Sequence, residues 1–268
     1  MQNLNDIVRI AHGAGEKILE IYDTADFGVD MKADNSPLTL ADLASHHYIV
    51  DALLALTPDI PILSEESKGV AYRDRAKWTT FWLVDPLDGT KEFIKRNGEF
   101  TVNIALIEDG VPILGVVHVP YLGVTYSAAK GAGAFRTEGE ERTPLKALDT
   151  LGSPMQVVAS RSHAGAETTA FLESLGEKHP LEVVSKGSAL KLCLVAEGAA
   201  DLYPRLGPTM EWDTAAAQAV VEQAGAQVTT LTGQPLRYNK ENLLNPFFVV
   251  SSPATASLWQ DHIAAAAL

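Results

Sequence analysis

An α+β first half followed by an α/β second half is the fold class that this sequence predicts, and three changes of hydrophobic period predict it. Residues 4–22 and 38–56 repeat apolar side chains at spacings of three and four, as amphipathic helices do. From Phe100 the period drops to two, and runs divided by turns at Glu108-Asp109-Gly110 and Tyr121-Leu122-Gly123 describe an antiparallel meander. Beyond Leu151 strand and helix patterns alternate. The change of grammar near 145–155 divides the chain into an α+β subdomain at 1–150 and an α/β subdomain at 151–268.

Taken in order, Ile7, Ile10, Ala14, Ile18, Leu19 and Tyr22 share one face of the first helix. Residues 26–37 are polar and contain Gly and Pro, a strand and then a loop. Leu43, Tyr48, Ile49, Leu53 and Leu56 mark the second helix. A short strand at 60–64 runs straight into Glu65-Glu66, and 69–77 is a polar connection. Phe81-Trp82-Leu83-Val84 is a buried strand, and 91–96 a short helix. Strands at 100–108, 111–120, 123–129 and 131–136, with polar 137–143, complete the antiparallel sheet. In the second half, strands at 156–159, 181–184 and 200–203 precede helices at 163–175, 188–196 and 211–224. Strands at 227–231 and 247–251 and a helix at 254–265 finish the chain.

The 268 residues suffice for a well-buried core. A formal net charge of −13 argues against a nucleic-acid surface, which needs a basic face. It leaves room for an anionic small substrate, because bound metal ions reverse the local field. The single cysteine, Cys193, excludes intramolecular disulfides, fits a reducing compartment, and sits in an apolar stretch as buried filler. No apolar run approaches the ~20 residues that span a bilayer, and the N-terminus lacks a basic, apolar signal segment. A soluble cytoplasmic protein is expected.

The chemistry converges on Asp85-Pro86-Leu87-Asp88-Gly89-Thr90, where the apolar strand empties into two carboxylates at a helix start. Backbone N–H groups at Gly89 and Thr90 suit an anion. Two carboxylates beside an anion require divalent metal between them. The competing reading is a plain turn of Asp, Pro and Gly. Haloacid-dehalogenase-type phosphatases separate the two aspartates of their own motif by one residue; here there are two, so that likeness is superficial. Glu65 and Glu66 follow their strand as Asp85 follows its own, and neighbouring strands would bring those ends together. Taken alone, Asp213 reads as a helix N-cap and Asp42 as a carboxylate placed near a helix N-terminus. His163, in Ser160-Arg161-Ser162-His163, stands at a strand end within reach of a phosphate, or else follows Ser162 as a helix cap. His46-His47 lies within a helix, and no Cys/His pair has zinc spacing.

Together the metal-loop motif, Ser64-Glu65-Glu66 before it and Trp212-Asp213 after it resemble, in order, the inositol monophosphatase superfamily of metal-dependent, lithium-sensitive phosphomonoesterases. Within it the chain is most similar to the bacterial 3′(2′),5′-bisphosphate nucleotidases. That similarity is carried by residues 36–42, 57–66, 159–163, 187–198, 200–205 and 243–246. The resemblance implies a layered αβαβα sugar-phosphatase fold and hydrolysis of the 3′-phosphate of adenosine 3′,5′-bisphosphate to AMP and phosphate, with action on 3′-phosphoadenylyl sulfate as well. It implies two or three Mg²⁺ ions held by Glu65, Asp85, Asp88 and Asp213 and by the Leu87 carbonyl, with Glu66 ranked behind Glu65. Thr90 and Asp42 match the pair that orients and deprotonates the attacking water. Glu65, Leu87, Asp88, Gly89, Thr90 and Asp213 line the phosphate, while Ser160, His163, Gly187 and Lys191 match positions near the nucleotide. Arg205 is a weaker candidate there, since a guanidinium suits phosphate.

The expected partner is thus a small nucleotide bisphosphate, with no obligate protein partner evident and a homodimer left open. Relatives imply a cytoplasmic location with peripheral attachment to the inner membrane, for which the sequence offers no anchor. Two alternatives stand beside this reading: an inositol or sugar monophosphatase of the same fold, and a catalytically silent nucleotide-binding regulator.

Overall fold

The computed structural model describes residues 4–24, 28, 30–31, 37–67, 69–160 and 165–266. The first half comprises α1 (Leu4–Tyr22), β1 (Asp30–Met31), β2 (Pro37–Leu38), α2 (Leu40–Leu56), β3 (Ile62–Ser64), α3 (Tyr72–Arg75), β4 (Thr80–Asp88) and α4 (Thr90–Ile94). A meander follows in β5 (Thr101–Glu108), β6 (Val111–Val119), β7 (Val124–Ala129), β8 (Gly133–Glu138) and β9 (Glu141–Pro144). The second half comprises β10 (Met155–Ser160), α5 (Ala166–Gly176), β11 (Leu181–Lys186), α6 (Leu190–Ala196), β12 (Leu202–Arg205), α7 (Glu211–Gln223), β13 (Gln227–Thr230) and β14 (Phe248–Ser251).

Seven strands in the order β3-β4-β5-β6-β7-β8-β9 form one sheet, and five in the order β11-β10-β12-β14-β13 form the other. The layers run αβαβα. On the outer face of the larger sheet, α1 and α2 bury Ile7, Ile18, Ile49 and Leu53 against Trp82, Val84, Ile104 and Val116. Between the sheets lie α6 and α7, which share one apolar cluster with Phe81, Leu83 and Val117 on one side and Val158, Tyr203 and Val250 on the other. On the far face of the smaller sheet, Phe171 and Leu175 of α5 pack with Trp259. Ala215, Ala216, Ala217 and Ala219 are all buried, which lets α7 lie close on the larger sheet. At Gly115 of β6 a Cβ would collide with the Ala216 carbonyl, so the crossing requires glycine there.

Five features depart from the sequence expectations. The strand expected to stop at Val84 continues to Asp88. The polar connection contains a short helix, α3. The described part of 26–37 contributes only the two-residue pairing of β1 with β2. The helix expected at 254–265 is a run of turns ending in a 3₁₀ segment, Gln260–Ala266. There the amides reach back three residues, as in Leu258 N to Thr255 O, and the Thr255 hydroxyl donates to Asp201 O at 2.8 Å, which holds the chain off an α-helical path. The smaller sheet is also mixed: β10 is parallel to β11 and β12, whereas β14 is antiparallel to β12 and β13.

Candidate active site

The site grows from an irregularity in β4. On one side β4 pairs in parallel with β3, and the Glu65 amide donates to Val84 O at 3.0 Å, so Glu65 and Asp85 leave adjacent strand ends together. On the other side its pairing with β5 passes from Asp85 opposite Asn103 to Asp88 opposite Thr101. Three steps on one strand face two on the other, the signature of a bulge. In a regular strand residues three apart point to opposite faces; the extra residue restores parity and puts both aspartates on one face. Pro86, which has no N–H to leave unpaired, sits in the bulge, and its carbonyl accepts from Ser45 Oγ at 2.7 Å. The Leu87 amide donates to Asp85 Oδ1 at 3.1 Å.

Carboxylate oxygens of Glu65, Asp85 and Asp213 all lie within 4.8 Å of one another. Asp213 arrives from the first turn of α7, where its Oδ2 accepts from the Met210 amide at 2.9 Å. The capping role read from the sequence is thus filled by a side chain that also belongs to the carboxylate group. Asp85 is 1% exposed, and burial followed by repulsion from Glu65, Asp88 and Asp213 pushes its pKa well above the carboxylate range. Asp213 is raised as well, by burial and then by Asp88. Asp88 stands outside the tight group of three. Its pKa is pushed up to about 6 by burial, against the stabilising Lys191 ammonium and Ala189 amide. Converging carboxylates that repel one another and offer only oxygen fit a hard divalent cation. Glu66 is not in the group, and His46 is engaged with Ser64 Oγ at 2.9 Å, as expected for packing histidines.

Beside this group, Thr90 and Asp42 meet: the Thr90 hydroxyl donates to Asp42 Oδ1 at 3.2 Å and lies 3.5 Å from Leu87 O. Asp42 also closes the capping box of α2, its Oδ2 accepting from Thr39 N at 2.7 Å and Thr39 Oγ1 at 2.6 Å. Gly89, at φ 92°, precedes α4, which is only five residues long. Its contribution to anion binding is thus the local amides of Gly89 and Thr90, since the dipole of so short a helix is small.

The inositol monophosphatase family model matches residues 2–266. The chain belongs to the inositol monophosphatase family. It is 54% identical to the 3′(2′),5′-bisphosphate nucleotidase CysQ of Escherichia coli O6:H1 over 92% of this chain and 99% of the relative. The CysQ of Salmonella typhimurium is 51% identical over the same share of each. Among solved structures, CysQ from Bacteroides thetaiotaomicron superposes with a TM-score of 0.81 at 45% identity, covering 94% of this chain and 97% of that one. The Thermotoga maritima inositol monophosphatase superposes at 0.82 with 24% identity over 100% of this chain and 98% of that one, a likeness of fold. Family membership carries dependence on a divalent metal with it, and an acidic group able to hold such an ion is present.

From the second half of the chain, Lys191 and Arg205 bear electrostatically on the carboxylates. Lys191, buried on α6, donates to Ser188 O at 2.6 Å and stands 5.9 Å from the centre of the Tyr203 ring. Burial lowers its pKa to about 8, with Asp88 the chief opposing influence. Arg205 donates to Pro208 O at 2.8 Å and bears electrostatically on Asp213 and Lys191. Gly187 lies directly after β11, and Ser160 ends β10 in register with Lys186. His163 lies outside the described residues. Sequence reasoning passed over Ser188, which adopts a φ of 49° and buries an Oγ without a protein hydrogen-bond partner. It also passed over Asn103, whose Nδ2 lies 3.5 Å from Asp88 Oδ2. The hydroxyl following a strand-end glycine was the one available signal; Asn103 offered none. Among the described residues no helix is long and apolar enough to cross a membrane.

Proposed function

We propose that this chain is a Mg²⁺-dependent phosphomonoesterase that hydrolyses the 3′-phosphate of adenosine 3′,5′-bisphosphate to AMP and inorganic phosphate, and that accepts 3′-phosphoadenylyl sulfate in the same site. The observation that carries the reading is the three-carboxylate group set beside the Thr90 and Asp42 pair, in a chain 54% identical to a bisphosphate nucleotidase. Glu65, Asp85 and Asp213 would hold one ion, and Asp88 with the Leu87 carbonyl would serve a second or third. Magnesium, when bound, lowers the pKa of water and neutralises phosphoryl and leaving oxygens.

The remaining work falls to side chains and amides. With its proton committed to Asp42 Oδ1 at 3.2 Å, Thr90 Oγ1 turns its lone pairs outward and can take the proton of an incoming water. Asp42 receives the Thr90 proton in that transfer. Attack in line on phosphorus forms one P–O bond and breaks the bond to the ribose 3′-oxygen, which leaves and takes a proton from solvent water, while Asp42 returns its proton to solvent. The Gly89 and Thr90 amides receive the departing phosphate. Ser160, His163, Gly187 and Lys191 are assigned to the nucleotide and its second phosphate, with Lys191 the buried cation. We place the reaction in the cytoplasm.

Phosphate release by the purified protein with Mg²⁺, measured side by side on adenosine 3′,5′-bisphosphate and inositol 1-phosphate, tests the assignment. A kcat/KM at least about tenfold higher on the nucleotide is expected. Preference for the inositol ester would assign the chain to the sugar monophosphatases, and no turnover of either would leave a silent binding protein.

A further inference from the structure

The two halves of the site meet on a carboxylate that the chemistry above does not use. Glu99 lies between α4 and β5 in the first half and is 8% exposed. Its Oε2 accepts from the Gly187 amide at 2.9 Å, and its Oε1 pairs with Lys186 Nζ at 3.2 Å. Lys186 ends β11 beside Ser160 at the end of β10, so the junction forms where two parallel strands release their carboxyl ends, the usual ligand edge of such sheets. The fit is close: a Cβ on Gly187 would fall 2.7 Å from Glu92 Cγ and 2.8 Å from Glu99 O. The same Glu99 carbonyl lies 3.2 Å from where a Cβ on Gly89 would be, directly over the metal loop. Segment 186–188 thus rests on Glu99, while the residues after it are anchored separately by the bond of the Ala189 amide to Asp88.

A carboxylate this near a phosphate site repels an anionic substrate unless its charge is balanced, and Lys186 balances it. The Lys186 side chain is 38% exposed, so its own share in the pairing is weakened by solvent. The bond that has no substitute in water is the one from the Gly187 amide, a buried donor on a charged acceptor. Without that acceptor the segment must shift to hydrate the amide, and the nucleotide contacts shift with it.

We propose that Glu99 is a positioning residue that holds segment 186–188 against the metal loop, setting affinity and preference for the nucleotide and leaving the rate of phosphoryl transfer unchanged. The inference rests on the nucleotidase reading above. Kinetics of wild type, Glu99→Ala and Glu99→Gln on adenosine 3′,5′-bisphosphate and inositol 1-phosphate test it, with Mg²⁺ activation and thermal unfolding followed in parallel. Glu99→Ala raises KM for the nucleotide about tenfold or more, with kcat, Mg²⁺ activation and the inositol ester's parameters unchanged within about twofold. Glu99→Gln, which keeps an acceptor for Gly187, returns KM to within about threefold of wild type. Equal losses on both substrates, or a lower kcat at unchanged KM, overturn the proposal. If Glu99→Ala does not fold, Gly187→Ala displaces the same segment, and an unchanged nucleotide KM in that variant overturns it equally. The wild-type preference tests the nucleotidase reading, whereas its collapse on removal of Glu99 tests the positioning role, so the two fail separately.

Discussion

Replacing Thr90 with Val removes one hydroxyl from the site, and it separates the cap that Asp42 provides from the proton transfer proposed for it. Asp42 is 2% exposed; one oxygen closes the α2 capping box and the other accepts the Thr90 hydroxyl at 3.2 Å. Capping contributes about 1 kcal/mol of stability. Proton transfer by a positioned group contributes about 10²–10⁴ in rate, or about 3–5 kcal/mol of barrier. Thr90 is only partly buried, so water can take its place on Asp42 and the stability cost of Thr90→Val stays below about 1 kcal/mol. Asp42→Asn loses the rate and about 1 kcal/mol of stability together. On the proposed path one proton passes through both groups, so removing the second after the first costs little. The double variant should therefore turn over within about threefold of Thr90→Val, whereas independent contributions would multiply to about 10⁴–10⁸. Phosphate release at saturating Mg²⁺, with urea unfolding of each variant, reads both quantities. A Thr90→Val enzyme within about threefold of wild type, or multiplicative losses in the double variant, refutes the proton path.

Asp88→Asn keeps the shape of the bulge and removes a carboxylate beside Asp213; turnover should fall by about 10³ or more with the thermal midpoint intact, and full activity would remove Asp88 from the metal set. Asn245→Ala deletes the Nδ2 that donates to Met210 O at 2.8 Å and Thr214 Oγ1 at 3.0 Å. It should cost about 2 kcal/mol of stability and weaken Mg²⁺ binding measured by calorimetry, because the Met210 amide orients Asp213. His118 is 7% exposed and held to about 3 by burial, then by neighbouring His12. A depressed histidine means the folded state binds fewer protons than the unfolded one between about pH 6.5 and 3, so its stability contribution is full above pH 6.5 and lost as pH falls. Between pH 7 and 5 it accounts for about 2 kcal/mol, and urea unfolding of His118→Gln should lack that share of the acid loss; parallel pH profiles would refute it.

Much of this fold is legible because its signals are local. The face of α1 and the turns of the meander can be read within windows of a dozen residues, and the structure places those elements within a few residues of expectation. Local signals fail where a distant partner decides. The Ala-rich end reads as a helix, yet Thr255 is bonded to Asp201, 54 residues earlier. The mixed direction of the smaller sheet depends on β14 returning between β12 and β13, which no periodicity encodes. In the site, Glu65, Asp85, Asp213, Thr90 and Asp42 are legible as chemistry-bearing types at strand and helix ends. Glu99 is not, since its partner Gly187 lies 88 positions away and a lone glutamate in a loop is unremarkable in sequence.

The loop at 85–90 shows how a local reading can pick out chemistry-bearing residues and miss the backbone geometry that holds them. Pro and Gly suggested that the strand ends before the carboxylates, with the aspartates free in a turn. The strand instead runs through them, and Asp85 and Asp88 keep partners on β5. With a separation of three, an unbroken ladder would direct one aspartate at α7 and the other away from it. One residue of bulge corrects the parity, and Pro86 can occupy the irregular position because it has no N–H to pair. That geometry constrains the spacing: a separation of two would align the carboxylates without a bulge, whereas a separation of three aligns them only with one. In Asp85-Pro86-Leu87-Asp88 the bulge leaves Leu87 O 3.5 Å from Thr90 Oγ1, so the backbone of the carboxylate loop itself touches the Thr90 and Asp42 pair.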